Sequence, residues 1–348
     1  MATLTETSEI SKKTFIGATI VVGLIFLSIL TFRFGLTLKN MLFPLPPPAS
    51  TVAFGKIPKL DISEGIKPPA KIDYKVETIS GELPKLAHEI KVFKIDPLRP
   101  SFGDLEKTKV KVVNADYTKE PESVTERTAT FRNERNPDFV LTINITSGNF
   151  VMGSNYLNKP ELLTIRPSTI EEATDTARDF FQKLRINFSS LNQKEPKNQL
   201  LKFEHGTLDE AVSLSSANFV KVLFLRQPID EIKVINPRLD MTPAWALVSK
   251  REIVEAKVAM LDIKKHKFST YPLMDVTKAF EKLKNGKGAF NKEIEGTVFP
   301  VRDVEIVYLE GENYQEYLQP VYLFKSDNNL AAYVPAVGEN WISGSETD

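Results

Sequence analysis

A run of 19 residues without a charged side chain, TFIGATIVVGLIFLSILTF at positions 14–32, constrains this chain more than any other feature of its sequence. Lys12 and Lys13 precede the run, and Arg33 follows it. At about 1.5 Å per residue, a helix of this length extends roughly 28 Å, which is close to the thickness of the hydrocarbon core of a bilayer. The run therefore predicts a single transmembrane helix at residues 14–32 that contacts the lipid bilayer.

A buried core helix and a cleaved signal peptide are the two other interpretations of this run. A signal peptide has a shorter apolar region and a small-x-small cleavage site, and no convincing site of this kind follows Phe32. The preferred topology is that of a signal anchor, with residues 1–13 as a cytoplasmic tail. The folded remainder is then expected outside the cell membrane of a bacterium.

Prolines dominate the segment that follows the run. Seven of them occur between positions 44 and 69, and Pro46, Pro47 and Pro48 are consecutive. Such a segment cannot form a helix and favours extended polyproline geometry. Residues 33–72 are therefore predicted to be a semi-rigid linker that holds the folded part away from the bilayer. A proline-rich ligand for a partner domain is the alternative interpretation.

Alternating apolar and polar residues predict strands in the rest of the chain. Phe139, Leu141, Ile143 and Ile145 alternate with other residues after an Asn-Pro turn signal, which is the period of a half-buried strand. The other predicted strands lie at residues 91–95, 219–225, 253–263, 304–309, 318–324 and 330–334. Short connections between neighbouring strands indicate antiparallel hairpins.

Helices are fewer and are marked by their ends. The motif STIE at 168–171 has the spacing of a capping box, and apolar residues then recur at helical intervals to about Arg185. Asp275 can cap another helix, which Asn285-Gly286 would end. A further helix is predicted at residues 104–113.

The order of these elements suggests three units, each with a helix followed by several strands. They are predicted at residues 73–155, 156–265 and 266–338, with residues 339–348 as a tail. Units of a helix against an antiparallel sheet form an α+β architecture. The predicted fold class is thus α+β, with one transmembrane helix followed by repeated helix-plus-sheet units.

The third of these units carries a resemblance to a known family. Its stretches FSTYPLMDVTKAFEKLKNGKGAF, VEIVYLE, YLQPVYLFK and LAAYVPAV, within residues 268–337, resemble PepSY-like repeats and the related extracytoplasmic domains of the YycH and YycI regulators. The anchor and linker also look like those of uncharacterised envelope proteins of small-genome bacteria. The resemblance implies a non-enzymatic role, because YycH and YycI act by binding the outer part of a sensor kinase.

Composition excludes several classes of function. The chain has no cysteine, so thiol catalysis, Cys-ligated zinc, iron–sulfur clusters and disulfides are ruled out. Its 45 basic and 45 acidic side chains give a formal net charge of zero. General binding of nucleic acid depends on excess positive charge, so no nucleic-acid partner is expected.

Histidines and lysines do not form a recognisable site in the sequence. His88, His205 and His266 are far apart and no HExxH motif is present, so no metal site is predicted. Glu204 and His205 are neighbours, and side chains of adjacent strand residues point to opposite faces. The motif KLKNGKG at 282–288 lacks the GxxxxGK[ST] pattern of a phosphate loop and is interpreted as a basic helix end.

Two sets of carboxylates are candidates for a binding or catalytic site. Glu171, Asp175 and Asp179 recur every four residues and can lie on one helix face, where they could bind a cation or a cationic partner. The alternative is a solvated face of the helix. Asp303 and Glu305 project from one face of a predicted strand and could act as an acid and base pair, or they could be ordinary surface charge.

These features together favour a single-pass, membrane-anchored extracytoplasmic binding or regulatory protein without catalytic activity. Its expected partners are the bilayer through residues 14–32 and a protein of the envelope. An envelope hydrolase or carbohydrate-active enzyme using paired carboxylates is one alternative, and a structural subunit of an envelope complex is another. No cofactor, catalytic residue or metal site is predicted, and a small-molecule ligand is not identified.

Overall fold

The computed structural model describes residues 24, 26–35, 50–69, 71–164, 167–192, 194–238, 242–250 and 252–344. The chain divides into two compact units, Met1–Ala49 and Ser50–Asp348. In the first unit, residues 26–35 are helical and their side chains are exposed. All other elements described below belong to the second unit.

The transmembrane helix predicted at residues 14–32 is wrong, and so are the single-pass topology and the location at a cell membrane. No helix among the described residues is long and apolar enough to cross a bilayer. Positions 14–23 and 25 of the predicted span lie outside the described residues.

The second unit is built mainly from strands. Its first part contains β1 (Ile57–Pro58), β2 (Asp73–Val76), β3 (Glu89–Ile95), α1 (Asp104–Asn114), β4 (Ser123–Val124), β5 (Thr128–Arg132), β6 (Val140–Asn144) and β7 (Phe150–Gly153). Its middle part contains α2 (Pro160–Thr164), α3 (Ile170–Lys183), β8 (Lys197–Glu204), β9 (Thr207–Glu210), β10 (Phe219–Phe224), β11 (Val234–Ile235), β12 (Ala244–Ser249) and β13 (Glu252–Val258). Its last part contains β14 (Ile263–Pro272), α4 (Val276–Lys284), β15 (Ala289–Phe290), β16 (Val298–Val301), β17 (Asp303–Leu309), β18 (Tyr317–Lys325), β19 (Ala331–Pro335) and β20 (Ile342–Ser343).

A nine-stranded antiparallel sheet, the large sheet, occupies the middle of the unit in the order β4-β5-β6-β7-β13-β12-β10-β8-β9. It has two halves, and in each half a helix precedes the strands. Helix α1 precedes β4 to β7, and helix α3 precedes β8, β9, β10, β12 and β13. The last strands of the two halves, β7 and β13, pair with each other through Phe150↔Val258, Val151↔Lys257 and Met152↔Ala256. We call this pairing the seam.

Helices α1 and α3 cover one face of the large sheet because alternate residues of its strands are apolar. Phe131, Leu141 and Ala256 belong to this face and are fully buried. Helix α3 contributes the matching stripe, in which Ala177 and Phe181 are also fully buried. A two-layer packing of helices on a sheet results.

The second sheet brings together strands from the beginning and the end of the unit. Its strand order is β11-β17-β18-β19-β15. Strand β3 joins it by pairing with β14 and with the start of β18. Strand β2 pairs in parallel with β16, and β1 pairs in parallel with β20. Ile57, which was predicted to be part of a linker, is consequently fully buried. The three sequence units predicted at 73–155, 156–265 and 266–338 stay a prediction.

The predicted α+β class is wrong, because the described chain is mostly β with large antiparallel sheets and few helices. The strands that the sequence did not predict explain the error. β8 (KNQLLKFE) and β9 (TLDE) lack regular alternation, and most of their side chains are only partly buried. The predicted strand at 253–263 contains nearly all of β13, a connection at 259–262 and the first residue of β14.

The predicted helix signals are confirmed, with one shift. The Asp275 carboxylate accepts a hydrogen bond from the backbone N–H of Thr277 (2.8 Å), and α4 ends before Gly286, whose φ is 72°. At the start of α3 the capping residue is Thr169, whose hydroxyl accepts from the N–H of Glu172 (3.0 Å). The capping box therefore lies one residue later than predicted.

A buried ion pair connects the two sheets. Arg226 follows β10 of the large sheet, and Glu310 follows β17 of the second sheet; their side chains are 3% and 0% exposed. The guanidinium donates to both carboxylate oxygens of Glu310, with Nε at 2.7 Å from Oε2. It also donates to Ser190 Oγ (2.6 Å) and to the carbonyl oxygen of Leu261. The N–H of Leu261 donates to Glu310 Oε1 (2.8 Å), so both charges are satisfied by several partners.

Removing one partner of this pair should strongly destabilise the fold. In urea denaturation of the full chain, we expect Arg226→Met or Glu310→Leu to lower the free energy of unfolding by about 3–5 kcal/mol, because each leaves the other charge buried without its partner. The double variant should recover a large part of that loss. Arg132→Met, which removes an exposed ion pair with Glu122, is the control and should have a much smaller effect. Single variants within about 1 kcal/mol of the parent would contradict this role.

Candidate binding site

A cavity of about 430 Å³ lies on the helix-covered side of the large sheet, where the two halves meet at one end of the seam. Segments distant in sequence form its walls: the turn after α1, the β5–β6 loop, β7, α3 and the start of β13. The residues that line it are Ala115, Asp116, Tyr117, Asn133, Arg135, Asn136, Phe139, Met152, Thr176, Asp179, Phe180, Lys183, Glu252 and Ile253. We call it the seam cavity.

Hydrogen bonds hold the two loops of the seam cavity in place. After α1 the chain reverses at Asp116, which has a φ of 65°, and the N–H of Tyr117 donates to the carbonyl oxygen of Val112 (3.1 Å). The N–H of Glu134 then donates to the carbonyl oxygen of Asp116 (2.9 Å). In the β5–β6 loop, the side chain of Asn133 accepts from the next N–H groups, as in an Asx turn. The walls are thus fixed by the backbone.

Apolar side chains form the inner part of the seam cavity. Phe139, Met152 and Ile253 are all buried and belong to the core of the large sheet. Phe180 stands edge-to-face against Phe150, with ring centroids 6.0 Å apart, which fixes its orientation. Because these side chains are themselves buried, a ligand entering the cavity would meet their edges together with a larger polar surface.

The side chain of Tyr117 lines the cavity, and its ring is buried while its hydroxyl oxygen remains accessible to solvent. Burial raises the pKa of the Tyr117 phenol, so that it stays protonated at any ordinary pH. A tyrosine hydroxyl both donates and accepts hydrogen bonds. A ligand in the cavity would displace water from this hydroxyl and would need to replace its hydrogen bond.

Charged side chains surround the opening and fall into two groups. The Asp116 carboxylate forms ion pairs with two cations. Its Oδ1 is 3.3 Å from Nη2 of Arg135, and its Oδ2 is 3.9 Å from Nζ of Lys183. The carboxylates of Asp179 and Glu252 form no ion pair with another described residue, and both residues are exposed to solvent. The lining thus has three carboxylates against two cations.

The carboxyl group of Glu252 lies in an environment that disfavours its charge. Its pKa is raised mainly by loss of water around the group, a shift that Lys159 opposes and Glu161 adds to. Lys159 has its own carboxylate, Asp138, at 2.7 Å. A cation placed near Glu252 would stabilise the charged form.

The acidic stripe predicted on α3 is divided by the structure. Asp175 accepts a hydrogen bond from Arg178 (2.6 Å), and Glu171 is exposed in the first turn of the helix. Asp179, by contrast, lines the seam cavity. Only one of the three predicted carboxylates is therefore placed where it meets a concave surface.

Asp303 and Glu305 are brought together on β17, away from the seam cavity. Both carboxylates are ion-paired with Lys325, at 3.1 Å and 2.8 Å, and Glu305 also binds Lys233 at 3.0 Å. Burial lowers the pKa of Lys325, but the hydrogen bonds that its ammonium donates to the two carboxylates, together with their negative charges, outweigh this and raise the pKa. These residues form a surface charge network.

The other candidates from the sequence are not brought together. His205 has a φ of 53° and forms the turn between β8 and β9 together with Gly206. Lys282 is paired with Glu339 (2.6 Å) beyond the end of α4. Within the part of the chain that the structure describes, no group of three or more His, Asp or Glu side chains could hold a metal ion.

The comparisons with known proteins found no relative. No family model matches the chain. No curated protein and no solved structure matches it either. The resemblance to PepSY-like and YycH or YycI domains therefore stays a prediction from the sequence, and a function has to be proposed from the chemistry of the seam cavity.

Glu252→Gln should change stability in a pH-dependent way. Because the pKa of Glu252 is raised above its ordinary value of 4.5, the protonated carboxyl contributes stability at low pH that is lost as the pH rises through the raised value. We therefore expect the Gln variant to unfold at a higher urea concentration than the parent at pH 7. The difference should shrink at about pH 4. A variant less stable than the parent at pH 7 would contradict this.

Proposed function

We propose that this chain is a non-catalytic binding protein and that the seam cavity is its binding site. The observation that carries this proposal is a concave surface to which both halves of the large sheet contribute, and which combines the apolar side chains of Phe139, Met152 and Ile253 with the hydroxyl of Tyr117 and several charged groups. Concave sites in which a few polar groups converge on apolar side chains are the usual form of a ligand site. The volume of about 430 Å³ falls within the common range for such sites.

A protein is the partner class that best fits these features. The side chains and backbone of an exposed peptide segment combine apolar bodies with hydrogen-bonding groups, and the cavity offers both kinds of surface. The sequence resemblance of residues 268–337 to domains that bind a signalling protein supports the same partner class, and a regulatory role is part of this proposal.

The alternative of a hydrolase that uses Asp303 and Glu305 has less support. A general acid and base need to face a bound substrate. Both carboxylates instead share the ammonium group of Lys325, and Glu305 has a second cation in Lys233. Both carboxylates are thus engaged by lysines and are not free to face a substrate.

Filling the seam cavity should abolish binding. Thr176 lies on α3 in the cavity wall, and we expect Thr176→Trp to occupy part of the space without adding charge. The full chain would be tested against an array of capped tetrapeptides that varies the two central residues. We expect a defined subset to bind, with roughly tenfold or greater loss in the variant, a change of about 1.4 kcal/mol in binding free energy.

Gln182→Trp is the matched control, because Gln182 is an exposed residue of the same helix and does not line the cavity. It should bind the same peptides as the parent. The circular dichroism and thermal unfolding of both variants establish that the fold is retained. Two results would overturn the proposal: a parent chain that binds none of the peptides, or equal binding by a correctly folded Thr176→Trp variant.

A further inference from the structure

A short segment between β1 and β2 lies across the second sheet and is attached to it at a few points. Residues 60–66, which we call the cover segment, belong to no helix or strand. Leu60 is the one buried residue among them, and it packs into an apolar cluster of the second sheet. At the other end, Ile66 and Phe290 of the edge strand β15 exchange two backbone hydrogen bonds of 2.8 Å. The cover segment therefore lies on the sheet as a bound peptide would.

The carboxylate of Glu64 attaches the cover segment to the loop between β17 and β18. It accepts hydrogen bonds from the backbone N–H of Glu312, at 3.0 and 3.1 Å, and from the backbone N–H of Asn313, at 3.3 Å. The side-chain amide of Asn313 donates to the same carboxylate (3.2 Å). N–H groups that converge on one point favour an anion. The loop is thus suited to a carboxylate, which Glu64 supplies from within the chain.

The hydroxyl of Tyr333 lies against the backbone of the cover segment and has no hydrogen-bond partner in the described part of the chain. Tyr333 is fully buried. A Cβ atom added at Gly65 would lie 1.9 Å from this hydroxyl oxygen, so glycine is required above it. A buried hydroxyl without a partner costs free energy. Water can reach the hydroxyl only when the cover segment moves away, so its closed position carries a cost.

We infer that the cover segment is an internal ligand, and that the surface under it is a docking site for a peptide segment of another protein. The contacts define the chemistry of that partner: an aliphatic side chain, a carboxylate four residues later, and a glycine directly after the carboxylate. Local opening of the cover segment releases one buried side chain and a few hydrogen bonds at the surface. The docking site is separate from the seam cavity and does not depend on it.

Single substitutions should shift the opening of the cover segment in both directions. Hydrogen–deuterium exchange of residues 59–66 would be measured by mass spectrometry on the full chain. Gly65→Ala places a methyl group against the Tyr333 hydroxyl and should speed this exchange roughly tenfold. Tyr333→Phe removes the unpaired hydroxyl and should slow the exchange several-fold. Gly153→Ala is the control and should change nothing, because a Cβ atom there meets no atom within 4 Å.

A fluorescently labelled peptide with the sequence of residues 59–67, KLDISEGIK, tests the docking site directly. We expect it to bind the Gly65→Ala chain roughly tenfold or more tightly than the parent, whose own cover segment competes at a high effective concentration. The same peptide with Glu64→Gln or Gly65→Ala should bind that chain roughly fivefold or more weakly. Adding Thr176→Trp to the chain should leave peptide binding unchanged, which distinguishes this site from the seam cavity.

Equal exchange in the parent and all variants would overturn the inference, and so would a Gly65→Ala chain whose cover segment is open but does not bind the peptide. Equal binding of the altered peptides would overturn the assigned partner chemistry. If circular dichroism shows that Gly65→Ala does not fold, Glu64→Ala takes its place, since it removes the hydrogen bonds to the 311–313 loop. Light scattering that shows the parent to dimerise by exchange of this segment would make a second copy the occupant and overturn the assignment to another protein.

Discussion

The ion pair between Arg226 and Glu310 fixes the geometry on which the rest of the second unit depends. Glu310 directly follows β17 and Arg226 lies two residues after β10, so the pair joins the ends of strands from different sheets. Two charges removed from water require full hydrogen bonding, and Ser190 and Leu261 supply it. The observed arrangement of the two sheets satisfies all these groups at once, so the pair holds the two strand ends together.

The seam cavity follows from how the large sheet is assembled. Two helix-and-strand halves meet by pairing β7 with β13, and helices α1 and α3 belong to different halves. Space remains between the turn after α1 and the side of α3, and residues from both halves line it. Neither half contains the complete set of lining residues, so the candidate site exists only when the whole sheet is formed.

Local signals in the sequence predicted some elements well and the site poorly. Asp275 and Gly286 mark the ends of α4 because capping depends on residues next to each other. The span predicted at residues 14–32 illustrates the opposite case, since hydropathy reports only composition, and no helix among the described residues is long and apolar enough to cross a bilayer. Tyr117 and Glu252 have no such signal, because only the pairing of distant strands brings them to one cavity. The sequence predicted Asp179 as part of a carboxylate stripe on α3. Its side chain is exposed like those of a solvated face, so its position at the cavity could not be predicted from the helix alone.

The parallel pairing of β1 with β20 determines how the second unit responds to mechanical tension. Ile57 lies opposite Ile342 and Pro58 opposite Ser343, so the chain enters at one end of this short ladder and leaves at the other. A pulling force applied to both ends would shear the two strands past each other and strain their hydrogen bonds together instead of opening them one after another. Ser343 adds a side-chain bond to the carbonyl oxygen of Ile57 (3.2 Å) that resists the same displacement.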